Sequence, residues 1–468
     1  MMSKARGAAW ITLGLVFLGS SLTLGGCNDP KDPKTWIKKL KDPRESENAV
    51  FQLKKLGKAE AVLPLCKLFD DTSDSSVLKA IISFKDKRAI PTLIKALDFS
   101  VKNYHNASVA ASALARLKAV EAVPALIQVL KTPLSMKSRA NKAKVAAIEA
   151  LRKLGDKKAV PALISVAEGK PEKQDFFLNK RAMVALGDLG DAEAVPVLVR
   201  GLFMASTIQG TSYPMARVAL VKIGSPSVAP LVAAMKKENK LLNLMAKDLE
   251  FRPGVILNKT AIVLGDLRAK AAIPTLLELF KKANLKETKI AGVIEALGKI
   301  GDPRAVVPLL KAVKDKKANY KIRMQICNAL TVLGDKRAVS AMLEIAEKGF
   351  IDGGYYNLRE AGAMAWGRIV GSEVGEQMKV MDAMLADKEL NKYKQNWKTF
   401  KEAKDRALIA VKCKDDAKCY GKALDNKKLT LAQREKAAVM VGILKNGRDA
   451  IPDLVTALPE REPILRLF

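Results

Sequence analysis

Histidine is almost absent from this chain. Of 468 residues only His105 carries an imidazole, and aromatic residues make up only 5%. A Ser-His-Asp or Cys-His site would have to be built on His105 alone, and a His-rich metal centre has no set of ligands. His105 falls in the segment Val101 to Ser108, which reads as a loop. No Walker-type glycine loop, His-rich zinc motif or dinucleotide fingerprint occurs. Strand-like alternation is missing too, while Ala, Leu and Lys abound, so the chain reads as all-helical with no sheet. These absences exclude most catalytic machinery and predict neither a cofactor nor a metal.

What is present is a recurring phrase. It reads LGDKKAVPAL at Leu154 to Leu163, LGDAEAVPVL at Leu189 to Leu198, IGDPRAVVPLL at Ile300 to Leu310 and LGDKRAVSAML at Leu333 to Leu343. With the glycine slot as origin, the units fall at Gly57, Lys85, Lys118, Gly155, Gly190, Gly224, Arg268, Gly301, Gly334, Gly371, Cys413 and Asn446. Their spacing averages about 35 residues, enough for two short helices and two turns. Pro91, Pro124, Pro161, Pro196, Pro230, Pro274 and Pro452 each stand at the same offset from their origin, and Pro64 and Pro308 one residue later.

The local physics of each unit is readable. Before the origin, Ala147, Ile148, Leu151 and Leu154 recur at helical spacing, which buries one face and leaves Lys and Glu on the other. Glycine then accepts a left-handed helix cap, and proline opens the next helix, where its missing N–H is not needed. Asp156, Asp191, Asp302 and Asp335 recur at one turn position, which assigns them to capping and not to catalysis. Such a helix pair cannot bury its apolar face alone, so it must stack on its neighbours. No break in the period interrupts the array, which predicts one elongated domain.

The run VAAIEALRKLGDKKAVPALISV, within Lys144 to Val166, resembles the HEAT repeat, in the short bacterial form also found in phycobilin lyases. The resemblance extends from Ala49 to Leu458 and implies a right-handed α-solenoid of about twelve helix pairs. It also implies that the Pro-led segment is helix A, on the convex side, and that the segment ending at the origin is helix B, on the concave side. HEAT arrays differ mainly in what they bind, so the fold alone does not name a function. The di-iron hydroxylases of this fold need several His-Glu pairs, which the chain lacks. The DNA glycosylases and phycobilin lyases of the fold are cytoplasmic, whereas this chain begins with an export signal.

That signal consists of Lys4 and Arg6, a short apolar core from Ile11 to Leu18, and Leu24-Gly25-Gly26-Cys27. A core this short suits a signal peptide and not a membrane span. Its ending resembles a bacterial lipobox, which implies that residues 1–26 are removed and that Cys27 is acylated, with two or three chains holding the protein to the membrane. Residues 27–43, with Pro30, Pro33 and Pro43, then read as a tether, and 44–468 as the solenoid. By analogy with enterobacterial sorting, Asn28 favours the outer membrane, facing the periplasm or the surface.

Export also decides how the other cysteines are read. Cys66 and Cys327 sit among apolar helix residues as small buried hydrophobes. Cys413 occupies the glycine slot of its unit and Cys419 the proline slot, and in an oxidising compartment a disulfide between them would staple a degenerate junction by about 2 kcal/mol.

Two patterns bear on binding. The net charge is +32, and +30 without Lys4 and Arg6, which favours anionic partners. Near the starts of the B helices stand Lys144, Lys180, Arg181, Arg217, Lys259, Lys289, Arg323, Arg359, Arg406 and Arg434, which stacking arranges as a row. The row serves either to pair with turn aspartates or to bind a ligand. The second pattern is tyrosine. Tyr104, Tyr213, Tyr355, Tyr356 and Tyr393 fall in the A–B connections, whose lengths vary, and Tyr320 lies beside another. Rings there form either a recognition edge or end caps on the stack. The leading expectation is a non-enzymatic, lipid-anchored scaffold for a protein or peptide. The alternatives are a binder of an anionic polymer or lipid surface, and a lyase-like enzyme.

Overall fold

The computed structural model describes residues 29–97, 104–132, 138–171, 173–349, 357–388 and 394–444. Within them lie 25 α-helices. The backbone divides into two compact units between Ala119 and Val120, where the unbroken period predicts a single body. In a repeat array each unit touches only its neighbours, so nothing requires all of them to gather round one core.

The first unit holds α1 (Pro33–Lys39), α2 (Ser46–Leu56), α3 (Val62–Thr72), α4 (Ser75–Ser83), α5 (Ile90–Lys95) and α6 (Tyr104–Leu117). The second begins with α7 (Val123–Lys131), α8 (Ser138–Leu154), α9 (Val160–Glu168), α10 (Phe176–Leu189), α11 (Val195–Gly201), α12 (Tyr213–Ile223) and α13 (Val228–Met235). It continues with α14 (Lys240–Asp248), α15 (Val255–Asp266), α16 (Ile273–Lys281), α17 (Ala291–Ile300), α18 (Val306–Lys314), α19 (Tyr320–Leu333) and α20 (Val339–Lys348). The last helices are α21 (Asn357–Ile369), α22 (Gly375–Ala386), α23 (Lys394–Cys413), α24 (Ala417–Asp425) and α25 (Leu431–Ile443). The architecture is an all-α solenoid. Among the described residues no single helix is long and apolar enough to cross a membrane.

The turn chemistry repeats. Gly155, Gly190, Gly301 and Gly334 take left-handed backbone angles, φ 74°, 66°, 75° and 65°. Lys85, Lys118 and Arg268 take the same conformation without being glycine, at φ 53°, 56° and 49°. After each glycine an aspartate folds back. Asp156, Asp191, Asp302 and Asp335 accept from the backbone N–H two residues on, at 2.9 to 3.0 Å, and start a short 3-10 turn that leads into the next A helix. The buried seam is built of small and branched residues: Ala147, Ile148, Leu151 and Leu163 are wholly buried. B helices also approach through glycine, since a Cβ on Gly298 of α17 would stand 2.8 Å from Ala329 Cα of α19.

Four local features depart from the simple repeat. Residues 33–39 of the presumed tether are helical, because Asp32 caps Lys34 N at 2.9 Å and Pro33 suits the first helical position. The connection before α12 contains a two-stranded antiparallel hairpin pairing Ala205 with Thr211 and Ser206 with Gly210, a small sheet where none is expected. Gly210, at φ 70°, permits that turn. Helix α14 is an additional element between α13 and α15. At the degenerate unit the left-handed residue is Lys414, at φ 49°, and not Cys413, which ends α23.

Candidate functional site

The row of cations at the B-helix starts turns inward. Lys144 is 1% exposed and donates to Thr132 O at 2.6 Å, just past the end of α7. Burial pulls its ammonium below the ordinary lysine range. Arg323 Nε donates to Val313 O at 2.8 Å, Arg359 Nε to Ala346 O at 2.8 Å and Arg434 Nε to Leu424 O at 2.7 Å. Each of these carbonyls lies in the last turns of an A helix, where main-chain acceptors lack helical partners and the helix dipole favours a cation. The other row members pair between B helices or nearby. Arg181 reaches Glu149 at 3.3 Å, and Arg217 Nε reaches Asp266 at 2.5 Å, where Lys299 also lands at 2.9 Å. Most of the row is therefore an internal fastening.

The tyrosines are placed differently from the expectation. Tyr104 and Tyr213 are the first residues of α6 and α12, not members of the loops before them, while Tyr320, expected beside a connection, is the first residue of α19. The Tyr213 ring is half-buried beside Lys259 (5.0 Å from the ring centre) and Arg217 (5.9 Å). Lys259 also sits 5.3 Å from Phe203 and donates to Leu202 O at 2.9 Å, so this ring packs on the array's own cations. His105 likewise lies in α6 and is exposed. Tyr355, Tyr356, Tyr393 and Cys27 lie outside the described residues.

Cys413 and Cys419 form a disulfide with a Cα separation of 5.3 Å, joining the end of α23 to the first turn of α24. Cys66 and Cys327 are buried free thiols, and burial pushes Cys327 up to about 12. Beside the disulfide, Tyr420 donates to Lys414 O at 2.9 Å.

This junction borders a cleft of the second unit. It has a volume of about 590 Å³ and is lined by residues of α19, α21, α23 and α25, by the turns after the first three, and by Tyr420 of α24. Apolar side chains, among them Val332, Ile369, Val439 and Ile443, supply much of its wall. Five cations line it, namely Lys336, Arg368, Arg406, Lys414 and Lys436, against two carboxylates, Asp415 and Glu435.

Beneath the cleft lies a buried charge cluster. Glu435 accepts from Arg406 Nη2 at 2.6 Å and from Arg368 Nη2 at 3.0 Å, which fastens α25 to both α23 and α21. Lys436 donates to Arg368 O at 2.5 Å and Val370 O at 2.9 Å, at the end of α21. Burial, with Arg406 and Lys336 nearby, holds Lys436 down to about 8. Arg406 Nε is buried and has no hydrogen-bond partner among the described residues. Lys336 and Lys414, in contrast, are exposed. Sequence reading placed Arg406 and Arg434 in the row but passed over Glu435 and Lys436. The available signal was three successive charges, Arg434-Glu435-Lys436, running straight into the apolar stretch AAVMVGI. All three are buried, at 7%, 6% and 4% exposure.

Comparison with known proteins agrees with the repeat architecture. Residues 273–350 match HEAT repeats, and residues 108–132, 143–169 and 180–203 match the PBS lyase HEAT-like repeat. These stretches are thus HEAT repeats, and the fold around them is an all-α solenoid. No curated protein matches its sequence. Among solved structures, Kap95p with RanGDP superposes with a TM-score of 0.50 at 12% identity, covering 92% of this chain and 64% of that one. Kap121p bound to Pho4p gives 0.53 at 12% identity, covering 94% and 53%. The CpcE–CpcF phycocyanin lyase complex from Nostoc sp. PCC7120 matches at 20% identity over 60% of this chain and 94% of that one, with a TM-score of 0.28. This chain spans only 64% and 53% of the two Kap chains.

Proposed function

We propose that this chain is a lipid-anchored HEAT scaffold of the bacterial envelope that holds a protein or peptide partner on its B-helix face, without catalysis of its own. The observation that carries the reading is the cleft at the ends of α19, α21, α23 and α25, a concave surface with apolar walls and surplus positive charge. Among the described residues no group of His, Cys, Asp or Glu is arranged to hold a metal ion. Solenoids of similar fold have been solved with protein partners, such as Kap121p with Pho4p. The reading also includes acylation of Cys27 and retention at the outer membrane. Tyr355, Tyr356 and Tyr393 stay in it as further members of a recognition edge.

The polyanion reading keeps the net charge of +30 but loses its main support, since most of the cationic row bonds to carbonyls and carboxylates of the array itself. Crosslinking in intact envelopes followed by pull-down tests the choice. A discrete protein partner whose capture falls only modestly between low and physiological salt supports the scaffold. Capture of nucleic acid or lipopolysaccharide that collapses with salt overturns it. Cys27→Ser is expected to release the protein from membrane pellets, and unchanged retention would remove the anchor from the reading.

A further inference from the structure

We infer that the cleft beside α25 is a recognition pocket for an acidic-apolar peptide segment of a protein partner, its carboxylates met by Lys336 and Lys414 and its apolar side chains seated against Val332, Ile369 and Val439. The inference rests on the scaffold reading and specifies the partner's chemistry.

The charge pattern is the first argument. Glu435 is saturated by Arg368 and Arg406, and Lys436 is spent on two main-chain carbonyls. Lys336 and Lys414 remain: both line the cleft, both are exposed, and neither ammonium makes a hydrogen bond or ion pair among the described residues. Arg406 adds a buried guanidinium with one N–H unsatisfied. Asp415 is the one carboxylate of the lining left unpaired among the described residues, and it stands against two free ammoniums, so the pocket keeps a surplus of positive charge and favours anions.

Shape and placement narrow the class. The volume of about 590 Å³ falls within the range of ligand pockets, and apolar walls would be wasted on a phosphate polymer, whose binding needs a solvated row of cations. Lys336 follows α19 and Lys414 follows α23, with α21 between them in the chain, so the two ammoniums stand on separate turns. Separate positive points suit carboxylates spaced along a peptide better than the single headgroup of a fatty acid. The pocket is also held firm: the disulfide closes the turn behind Lys414, and the Glu435 bridge ties α25 to α21 and α23. Such rigidity lowers the entropic cost of binding.

The test is fluorescence anisotropy of the full chain with a fluorescein-labelled octapeptide of alternating Asp and Leu. Saturable binding is expected, weakened about tenfold or more by the pair Lys336→Glu and Lys414→Glu. Both side chains are exposed, so the melting temperature should hold. Val439→Trp, which fills the cleft without changing charge, should weaken the same probe, and a Ser-Leu octapeptide should bind far more weakly than the Asp-Leu one. Absence of saturable binding, equal affinity for the Ser-Leu peptide, or affinity unchanged in both variants would overturn the inference. So would tighter binding of dodecanoate with displacement of the peptide, which would assign the cleft to a lipid. If the octapeptide fails while envelope crosslinking still captures a protein, the inference falls and the scaffold reading stands.

Discussion

Helices α19 and α25 are the same element of two repeats, and their first buried cation performs the same task. Arg323 donates to Val313 O at 2.8 Å and Arg434 to Leu424 O at 2.7 Å, each closing the end of the A helix before it. The helices then part. Helix α19 continues with Met324 and Gln325, both half-buried, while α25 continues with Glu435 and Lys436, at 6% and 4% exposure. The shared arginine shows that the cationic row is part of how the solenoid holds together. The unshared pair shows where one repeat was given something more, at a cost in desolvation that apolar residues would have avoided.

The sharpest break in that comparison is Glu435→Ala. It leaves Arg368 and Arg406 without their common carboxylate, and Arg406 is 5% exposed, so a loss of about 3 to 5 kcal/mol in urea unfolding is expected. In α19, where Met324 stands opposite Glu435 and Gln325 opposite Lys436, Gln325→Ala removes the polar side chain of the pair and should cost under about 1 kcal/mol, since Gln325 Oε1 already lacks a partner. Equal losses would mean that the two helices are equivalent and that the charges in α25 are incidental.

The second effect is one of pH. Lys436 titrates at about 8 in the folded chain and near 10.5 when unfolded. Between these values the unfolded state binds more protons, so the lysine's contribution to stability rises with pH across that window. Below pH 8 its burial penalty is present in full, and above 10.5 it is gone. The span corresponds to about 3 kcal/mol. Urea midpoints at pH 7.5 and 10 should therefore shift differently in wild type and Lys436→Met, and identical shifts would mean that the ammonium is well solvated. Helix α19 has no counterpart to titrate.

A third contrast concerns the turns. The α19–α20 turn is closed by Gly334 and the Asp335 cap; the α23–α24 turn also has an aspartate cap, Asp416 accepting from Lys418 N at 2.9 Å, and adds the disulfide. Reduction of Cys413–Cys419 should cost about 2 kcal/mol. Thiol labelling of the protein kept under non-reducing conditions should leave both unmodified, and labelling of both would show that the disulfide does not form.

Legibility in the sequence followed the period. Nine of the positive-φ residues fall at origins of the phrase, including Lys85, Lys118 and Arg268, because a turn repeated every helix pair imposes its backbone angles whatever residue occupies it; at the degenerate units the rule lapses, with Lys414 left-handed in place of Cys413 and Gly371 not left-handed. The inward course of Lys144, Arg323 and Arg359 was not legible, since periodicity says which residues are equivalent but not which carbonyl lies within reach. The hairpin at Ala205–Ser206 and Gly210–Thr211 and the extra helix α14 are insertions, and insertions have no repeat to predict them. The cleft itself needs four helices from separate repeats, and of its five cations only Arg406 belonged to the cationic row that could be read along the chain.

The smallest effect bears most directly on function. Gly334 and Lys414 hold the same left-handed conformation at φ 65° and 49°, one with the residue that adopts it freely and the other with one that does not. Gly334→Ala should destabilise by about 1 kcal/mol, and Lys414→Gly should recover up to about 1 kcal/mol of strain, less the entropy that glycine loses on folding. Lys85, Lys118 and Arg268 hold the same conformation away from this cleft, so the turn alone does not single out Lys414; its exposed ammonium on the cleft wall does. Lys414→Gly should then leave the chain as stable as before, or slightly more so, while weakening the Asp-Leu octapeptide severalfold. A loss of more than about 1 kcal/mol on that substitution would show instead that the Lys414 side chain supports the fold, and the comparison with Gly334 would carry no message about binding.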